Sequence, residues 1–191
     1  MKLLVLFFFF SSFLWCQITI IHAGKLICGT SKEIKHVYSI LIEKDKIIDV
    51  VEGYVDPGDG DQQIDLNNYT VIPGLMDMHV HLSGESNPKK YMDRFTMNLD
   101  DYAYQSIPYA EKTLMAGFTT VRDLGGPINT SLKKAIEKGQ VIGPRIFSAG
   151  KALATTGGHA DPTSGMSFVL AGDPGPKQGV INGISDARKA V

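Results

Sequence analysis

Apolar and polar positions alternate over much of the first third of the chain, which is the spacing of half-buried β-strands. Turn-forming residues interrupt the alternation, most clearly at Pro57–Asp61. The predicted strands are Ile18–Leu26, Val37–Ile42, Lys46–Val51, Ile64–Leu66 and Tyr69–Ile72. We therefore expect residues 17–72 to form a small β-sheet domain.

The pattern changes at Pro73-Gly74. Val71–Leu82 is almost continuously apolar, as in a parallel strand buried on both faces. Apolar residues then recur every three or four positions, which predicts a helix over Lys90–Ala116. The units that follow are a strand at Phe118–Asp123, a helix capped by Asn129 or Thr130, a strand at Arg145–Ala149, a long Gly-rich loop and a helix from Ser185. This order predicts that residues 73–191 open a parallel α/β domain and stop before it is complete.

The N-terminal segment has the composition of a secretion signal. Met1-Lys2 supplies a positive charge, and Leu3–Trp15 is apolar but shorter than a membrane-spanning helix. We expect residues 1–16 to be removed by cleavage near Cys16 and Gln17, so the protein is expected to be secreted or periplasmic. An uncleaved anchor and a lipoprotein modified at Cys16 are the alternatives. After cleavage only Cys28 remains, which excludes an internal disulfide.

The overall charge excludes some classes of partner. The 19 Lys and Arg against 20 Asp and Glu give a net charge of −1, so there is no basic excess for nucleic acid. Apolar residues make up 43% of the chain and charged residues 20%, as in globular proteins. We expect a small molecule or short peptide as substrate, no membrane contact once the signal is removed, and a possible homo-oligomer.

The strongest chemical signal is a pair of histidines near the end of the first predicted parallel strand. Alternate side chains of a strand share a face, so His79 and His81 are expected about 6.6 Å apart along it. Two imidazoles at that spacing can bind one metal ion at about 2.0–2.1 Å. Asp77 is expected on the same face, where it could orient a ligand histidine. Two histidines packed in a core strand are the alternative.

Three ordered segments give the chain a resemblance to the amidohydrolase superfamily. They are Val71–His81, Ala116–Asp123 and Gly143–Gly150, and Ile21–Leu26 is similar to the small β-domain that precedes the barrel there. Thr156–Asp161, which reads TGGHAD, is similar to the imidazolonepropionase-related branch with its Xaa-Pro dipeptidase-type enzymes. The resemblance implies an α/β fold in which a small N-terminal β-sheet precedes the first three strand–helix units of a TIM-type (β/α)8 metallo-hydrolase barrel.

The resemblance also implies a reaction and a set of site residues. One or two metal ions, usually zinc, activate a water that attacks the carbonyl of an amide, cyclic amide or short peptide. It makes His79 and His81 metal ligands and places His159 against the substrate; a loop histidine bonded to neighbouring backbone is the alternative for His159. The remaining ligands and the catalytic carboxylate are expected beyond Val191, so the 191 residues should be inactive alone.

Two alternatives to a C–N hydrolase stay open. A one-metal deaminase belongs to the same superfamily, and a non-catalytic binding or scaffold protein could retain the barrel without its metal. Arg122 and Asp123, which end the second predicted parallel strand, could face the site, but we expect them to form a structural ion pair buried under the barrel rim.

Overall fold

The computed structural model describes residues 17–191. The predicted signal segment lies outside the described residues and stays a prediction. The chain folds into two compact units that meet in sequence between Pro73 and Gly74, and the second extends to Val191. Within residues 17–191, no helix combines the length and the hydropathy needed to cross a membrane.

The first unit is a four-stranded sheet. Its strands are β1 (Ile18–Leu26), β2 (Lys35–Glu43), β3 (Lys46–Glu52) and β4 (Gln62–Val71), in the order β3-β2-β1-β4. β4 runs parallel to β1 and the other neighbours are antiparallel. Ala23, Leu26 and Ile40 form its small buried core.

One element of this sheet was predicted wrongly. Ile64–Leu66 and Tyr69–Ile72 were expected to be separate strands, but both lie in β4, apart from Ile72 itself, which follows the strand. The polar residues between them form a bulge, because the pairing with β1 shifts between Ala23 and Lys25. Gly24 permits this close approach, since a Cβ there would stand 1.8 Å from the carbonyl oxygen of Asn67.

The second unit contains a three-stranded parallel sheet with helices between its strands. The strands are β5 (Leu75–Val80), β6 (Phe118–Asp123) and β7 (Arg145–Ser148), in that order. The α-helices are α1 (Lys90–Thr96), α2 (Leu99–Met115), α3 (Asn129–Glu137), α4 (Phe168–Ala171) and α5 (Ile184–Ala190), and Pro176–Gln178 is a short 3₁₀ helix. The mixed α/β class expected from the sequence is confirmed.

Several boundaries differ from the sequence-based prediction, and three of them are informative. The apolar stretch Val71–Leu82 is not one strand, because Pro73 and Gly74 separate β4 from β5. The predicted helix Lys90–Ala116 is two helices. The side chain of Asp101 accepts a hydrogen bond from the backbone N–H of Asn98 at 2.8 Å. This bond is part of a capping box, which begins α2 as a separate helix. Finally, Ile128 precedes α3, and Asn129 makes no capping bond there.

The parallel sheet has two unlike faces. On one face Val121 and Ile146 are buried with Ala110 of α2 and Leu132 of α3. Strand neighbours of these residues point the other way and are exposed, among them Met76, Met78, Arg122 and Phe147. Within residues 17–191, helices therefore cover one face and leave an open face that carries both apolar and charged side chains.

Candidate metal centre

The predicted histidine pair lies where β5 leaves the sheet. His79 is the residue before Val80, at which β5 ends, and His81 follows immediately. The carboxyl ends of β5 and β6 lie side by side, because the two strands are parallel neighbours. The pair is therefore held at the carboxyl edge of the sheet, the edge at which parallel α/β proteins bind ligands.

A bulge interrupts the strand between Asp77 and Val80, a stretch that includes His79. Asp77 pairs with Val121 and Val80 pairs with Asp123, so three steps on β5 match two on β6. The expected placement of Asp77 on the same face as the two histidines is therefore wrong. Asp77 is in register with a fully buried residue of the helix-covered face, and one of its oxygens accepts a hydrogen bond from the backbone N–H of His79 at 2.9 Å.

The two imidazole rings are close enough to share a metal ion. Their centroids are 5.5 Å apart, with the ring planes at 75°. A zinc–nitrogen bond of about 2.0–2.1 Å plus roughly 1.1 Å from nitrogen to ring centre would separate two centroids by about 5.2 Å at a tetrahedral angle. The observed separation is close to this value, and both rings are exposed at the edge of the sheet. The geometry thus fits two ligands on one ion.

A backbone carbonyl selects the tautomer of His81. Its Nδ1 lies 2.7 Å from the carbonyl oxygen of Gly125. Since a carbonyl oxygen only accepts, Nδ1 carries the proton and donates it in this bond, and the lone pair is left on Nε2. Metal-binding histidines use the same arrangement, in which one ring nitrogen is anchored and the other faces the ion.

Asp123 lies at the centre of the turn that supplies this carbonyl. Its carboxylate is fully buried and accepts hydrogen bonds from the backbone N–H of Leu82 at 2.9 Å and of Gly125 at 3.1 Å. The side-chain amide of Asn129 donates a third bond to it. Burial raises the pKa of the Asp123 carboxyl, while these bonds and the nearby His81 act in the opposite direction.

The predicted ion pair between Arg122 and Asp123 is wrong. Consecutive residues of a strand point to opposite faces, and here Arg122 is exposed whereas Asp123 is buried. Sequence reasoning missed the contact of Asp123 with the segment after His81. The available signal was an acidic residue ending a parallel strand directly before Leu124-Gly125-Gly126, a turn in which two glycines expose backbone N–H groups.

His159 lies in a separate turn after β7. It is exposed, and within residues 17–191 no hydrogen bond or ring contact joins it to the histidine pair. Asp161 organises this turn by accepting bonds from the N–H of Gly157 and from both the N–H and the hydroxyl of Thr163, all at 2.7–2.8 Å. These bonds lower the pKa of Asp161. The role expected for His159 stays a prediction.

A polar cleft of about 130 Å³ opens beside His81. Its wall includes Ser83 and Gln105, whose amide donates to the Ser83 carbonyl at 2.9 Å. Charged side chains complete the wall, namely Glu85, Lys90, Asp93 and Arg94. In the part of the chain that the structure describes, no group of three or more His, Cys, Asp or Glu side chains could hold a metal, so the pair would supply at most two ligands.

Comparisons with known proteins identify the family. The model of the amidohydrolase family matches residues 70–190. The ochratoxinase of Aspergillus niger is 28% identical over 197 residues, covering 92% of this chain and 39% of its own. A solved Xaa-Pro dipeptidase with methionine bound in its active site is 43% identical, with a TM-score of 0.83 over 91% of this chain and 43% of that one.

A second solved structure is also similar to this chain. It is a prolidase complexed with N-methylphosphonate-L-proline, 31% identical, with a TM-score of 0.74 over 91% of this chain and 43% of that one. The chain spans about two fifths of the length of the relatives it matches. Members of the matched family generally bind metal ions, in keeping with the histidine pair. The chain belongs to the amidohydrolase family.

Proposed function

We propose that this chain carries the first part of a metal-dependent hydrolase that cleaves C–N bonds of short peptides or related amides. The observation that carries the proposal is the histidine pair at the carboxyl edge of the parallel sheet, with Nδ1 of His81 bound to the Gly125 carbonyl. That bond prepares Nε2 of His81 as a ligand. Two histidines packed in a core strand would be buried, whereas both rings here are exposed at a strand end.

The parallel sheet supports a barrel as the fold of the complete catalytic domain. β5, β6 and β7 are consecutive parallel neighbours with helices on one face, which is the arrangement of the first three units of a (β/α)8 barrel. The exposed apolar side chains of the other face, Met76, Met78 and Phe147, would then fill the barrel interior. The likeness to the Xaa-Pro dipeptidase structure supports the same assignment.

Each described residue has a distinct part in this proposal. His79 and His81 hold the metal, zinc in our proposal, which when bound supplies a Lewis acid and an acidified water. Gly125 fixes the tautomer of His81 through its carbonyl. Asp77 accepts a hydrogen bond from the backbone N–H of His79 and so orients the backbone at this first ligand. His159 contacts the substrate from the turn after β7.

A short peptide suits the residues beside the pair. The cleft next to His81 carries both Lys90 and Arg94 together with Glu85 and Asp93, so its wall can contact groups of either sign. The relatives support the same class, since one is a Xaa-Pro dipeptidase with methionine in its active site and another binds a proline phosphonate. A catalytic zinc uses about three protein ligands and a water. The two histidines must therefore be joined by further ligands.

Metal content of the full-length protein tests the proposal. His79→Ala and His81→Ala should each lower zinc affinity by at least about tenfold, because each removes one of about three protein ligands. Hydrolysis of Xaa-Pro dipeptides should fall with it. His36→Ala is the matched control, because His36 is an exposed histidine of β2. Undiminished zinc content in a variant that combines His79→Ala with His81→Ala would refute the assignment. Zinc binding without hydrolysis of any dipeptide would favour a binding protein.

A further inference from the structure

The carboxylate of Asp123 joins the two backbone segments that surround His81. One oxygen, Oδ2, accepts from the N–H of Leu82, the residue directly after His81 in the chain. The other, Oδ1, accepts from the N–H of Gly125, whose carbonyl accepts the bond from Nδ1 of His81. Asp123 therefore fixes both the backbone that carries the His81 ring and the carbonyl that orients it.

A side chain that accepts hydrogen bonds from both N–H groups must offer two acceptor atoms and no donor. An ionised carboxylate satisfies both N–H groups at once, whereas an amide of the same shape would turn N–H against N–H at one of them. The orientation of Asn129 agrees with an ionised Asp123. Its Nδ2 donates to Oδ1 of Asp123, and its own Oδ1 is left buried without a partner among the described residues. An unpaired buried oxygen costs free energy. Asn129 nevertheless turns its N–H donor toward the carboxylate of Asp123, which indicates that the carboxylate needs that donor.

Two glycines in the turn, Gly125 and Gly126, allow the backbone conformation that these bonds need. Gly125 has a φ of +139°, a region that residues with a side chain rarely adopt. A Cβ on Gly126 would stand 2.2 Å from Oδ1 of Asn129 and 2.6 Å from the hydroxyl of Ser83. The turn therefore passes close to the segment after β5, which lets one carboxylate reach both.

We propose that Asp123 is a positioning residue that holds His81 in the tautomer and orientation for metal binding. This role rests on the proposed function, because it assumes that His81 binds the metal. Asp123 makes no contact with the reacting groups and acts through Leu82 and Gly125. Partners of metal-binding histidines typically contribute 10–100-fold to metal affinity.

Asp123→Asn in the full-length protein separates this role from simple packing. The variant keeps the shape and one acceptor oxygen, so one of the two backbone bonds is lost. We expect zinc affinity, measured by competition with a chelator, to fall about 10–100-fold. In metal-free protein with ¹⁵N-labelled histidine, we expect the His81 signal to change from protonated Nδ1 to a mixture of tautomers.

Leu132→Ala is the matched control, since Leu132 is buried in the core beneath the same sheet and its side chain has no hydrogen-bonding group. It should lower the melting temperature and leave zinc affinity and the His81 tautomer unchanged. Asp123→Glu retains both acceptors and provides a second variant if Asp123→Asn fails to fold. We expect its zinc affinity and His81 tautomer to be disturbed as well, because its longer side chain displaces both oxygens.

The outcomes separate the two proposals. Wild-type zinc affinity and an unchanged tautomer in the folded Asp123 variants would overturn the positioning role and leave the proposed function standing. An equal loss of zinc in Leu132→Ala at the same melting temperature would also overturn it. If the wild-type protein and all variants bind no zinc, the proposed function fails and the positioning role fails with it.

Discussion

Two turns that follow strands of the same sheet are each organised by one buried aspartate, yet they are built differently. Asp123 bonds to Leu82, 41 positions earlier in the chain, as well as to its own turn. All side-chain bonds of Asp161 fall within four positions of it. The pKa of Asp123 is raised by burial, whereas that of Asp161 is lowered by its hydrogen bonds.

The difference separates two ways of placing a histidine. The turn after β6 ties two strands together, so a disturbance there is transmitted to His81. In the turn after β7, which carries His159, all side-chain bonds of the aspartate are local. We therefore expect changes in the first turn to act on metal binding and on the stability of the sheet, and changes in the second to act on substrate binding.

The largest expected effect is that of Gly125→Ala. The φ of +139° is strained for alanine, and a Cβ there would stand 3.1 Å from the backbone nitrogen of Ala152. We expect a loss of about 2–3 kcal/mol in the free energy of unfolding. Gly157→Ala in the second turn is the comparison, since its φ of +72° is left-handed but the space is open, and it should lose about 1 kcal/mol. Denaturant unfolding measures both, and equal losses would contradict the distinction.

The next effect concerns His159. If the second turn serves the substrate alone, His159→Ala should raise the KM for a dipeptide about tenfold, equivalent to about 1.4 kcal/mol of binding, with zinc content unchanged. Steady-state kinetics and metal analysis of the full-length protein provide the measurement. A loss of zinc in this variant would show that both turns serve the metal.

A smaller effect is expected from Asp161→Asn, and it should depend on pH. The folded-state pKa of Asp161 lies below its usual value of 3.8, so its ionised form stabilises the fold above that value. This contribution is lost as the pH falls through the lowered pKa. Thermal unfolding from pH 7 to pH 2 should therefore show the largest difference between wild type and variant at neutral pH, and a decline of that difference below about pH 4. A difference that stays constant with pH would contradict the assignment.

The smallest effect should come from Thr163→Val. This change removes one of three bonds to Asp161, the hydroxyl bond of 2.7 Å, and leaves the backbone bond of 2.8 Å in place. We expect the melting temperature to fall less than in Asp161→Asn. Thr163→Ser retains the hydroxyl and should unfold close to wild type, so a larger loss in the serine variant would contradict this account.

Local patterns predicted the elements well, and contacts between distant residues set the limits. β6 has the predicted bounds, Phe118–Asp123, because β-branched residues between a glycine and a turn define a strand without outside help. Asn129 was expected to cap α3, as its residue type favours. It bonds to Asp123 instead, since a buried carboxylate needs a donor, and only the fold shows that Asp123 is buried.

The candidate site follows the same rule. The spacing of His79 and His81 was readable because it depends on one strand. The bulge at Asp77–Val80 was not, because a bulge is a property of the pairing between β5 and β6. The Gly125 carbonyl lies 44 positions from His81, and no spacing rule connects them.

The long segment after β7 is fastened at its base. Ala154 pairs with Val180, and Thr156 is bound to the side chain of Asn182 through both its N–H at 3.1 Å and its hydroxyl at 2.8 Å. The two ends of the segment between them are therefore held beside each other. Such a segment can accept insertions or be replaced, because the bonds between its two ends keep those ends in place. Changes between Thr156 and Val180 could therefore alter selectivity while the strands that carry the histidine pair keep their positions.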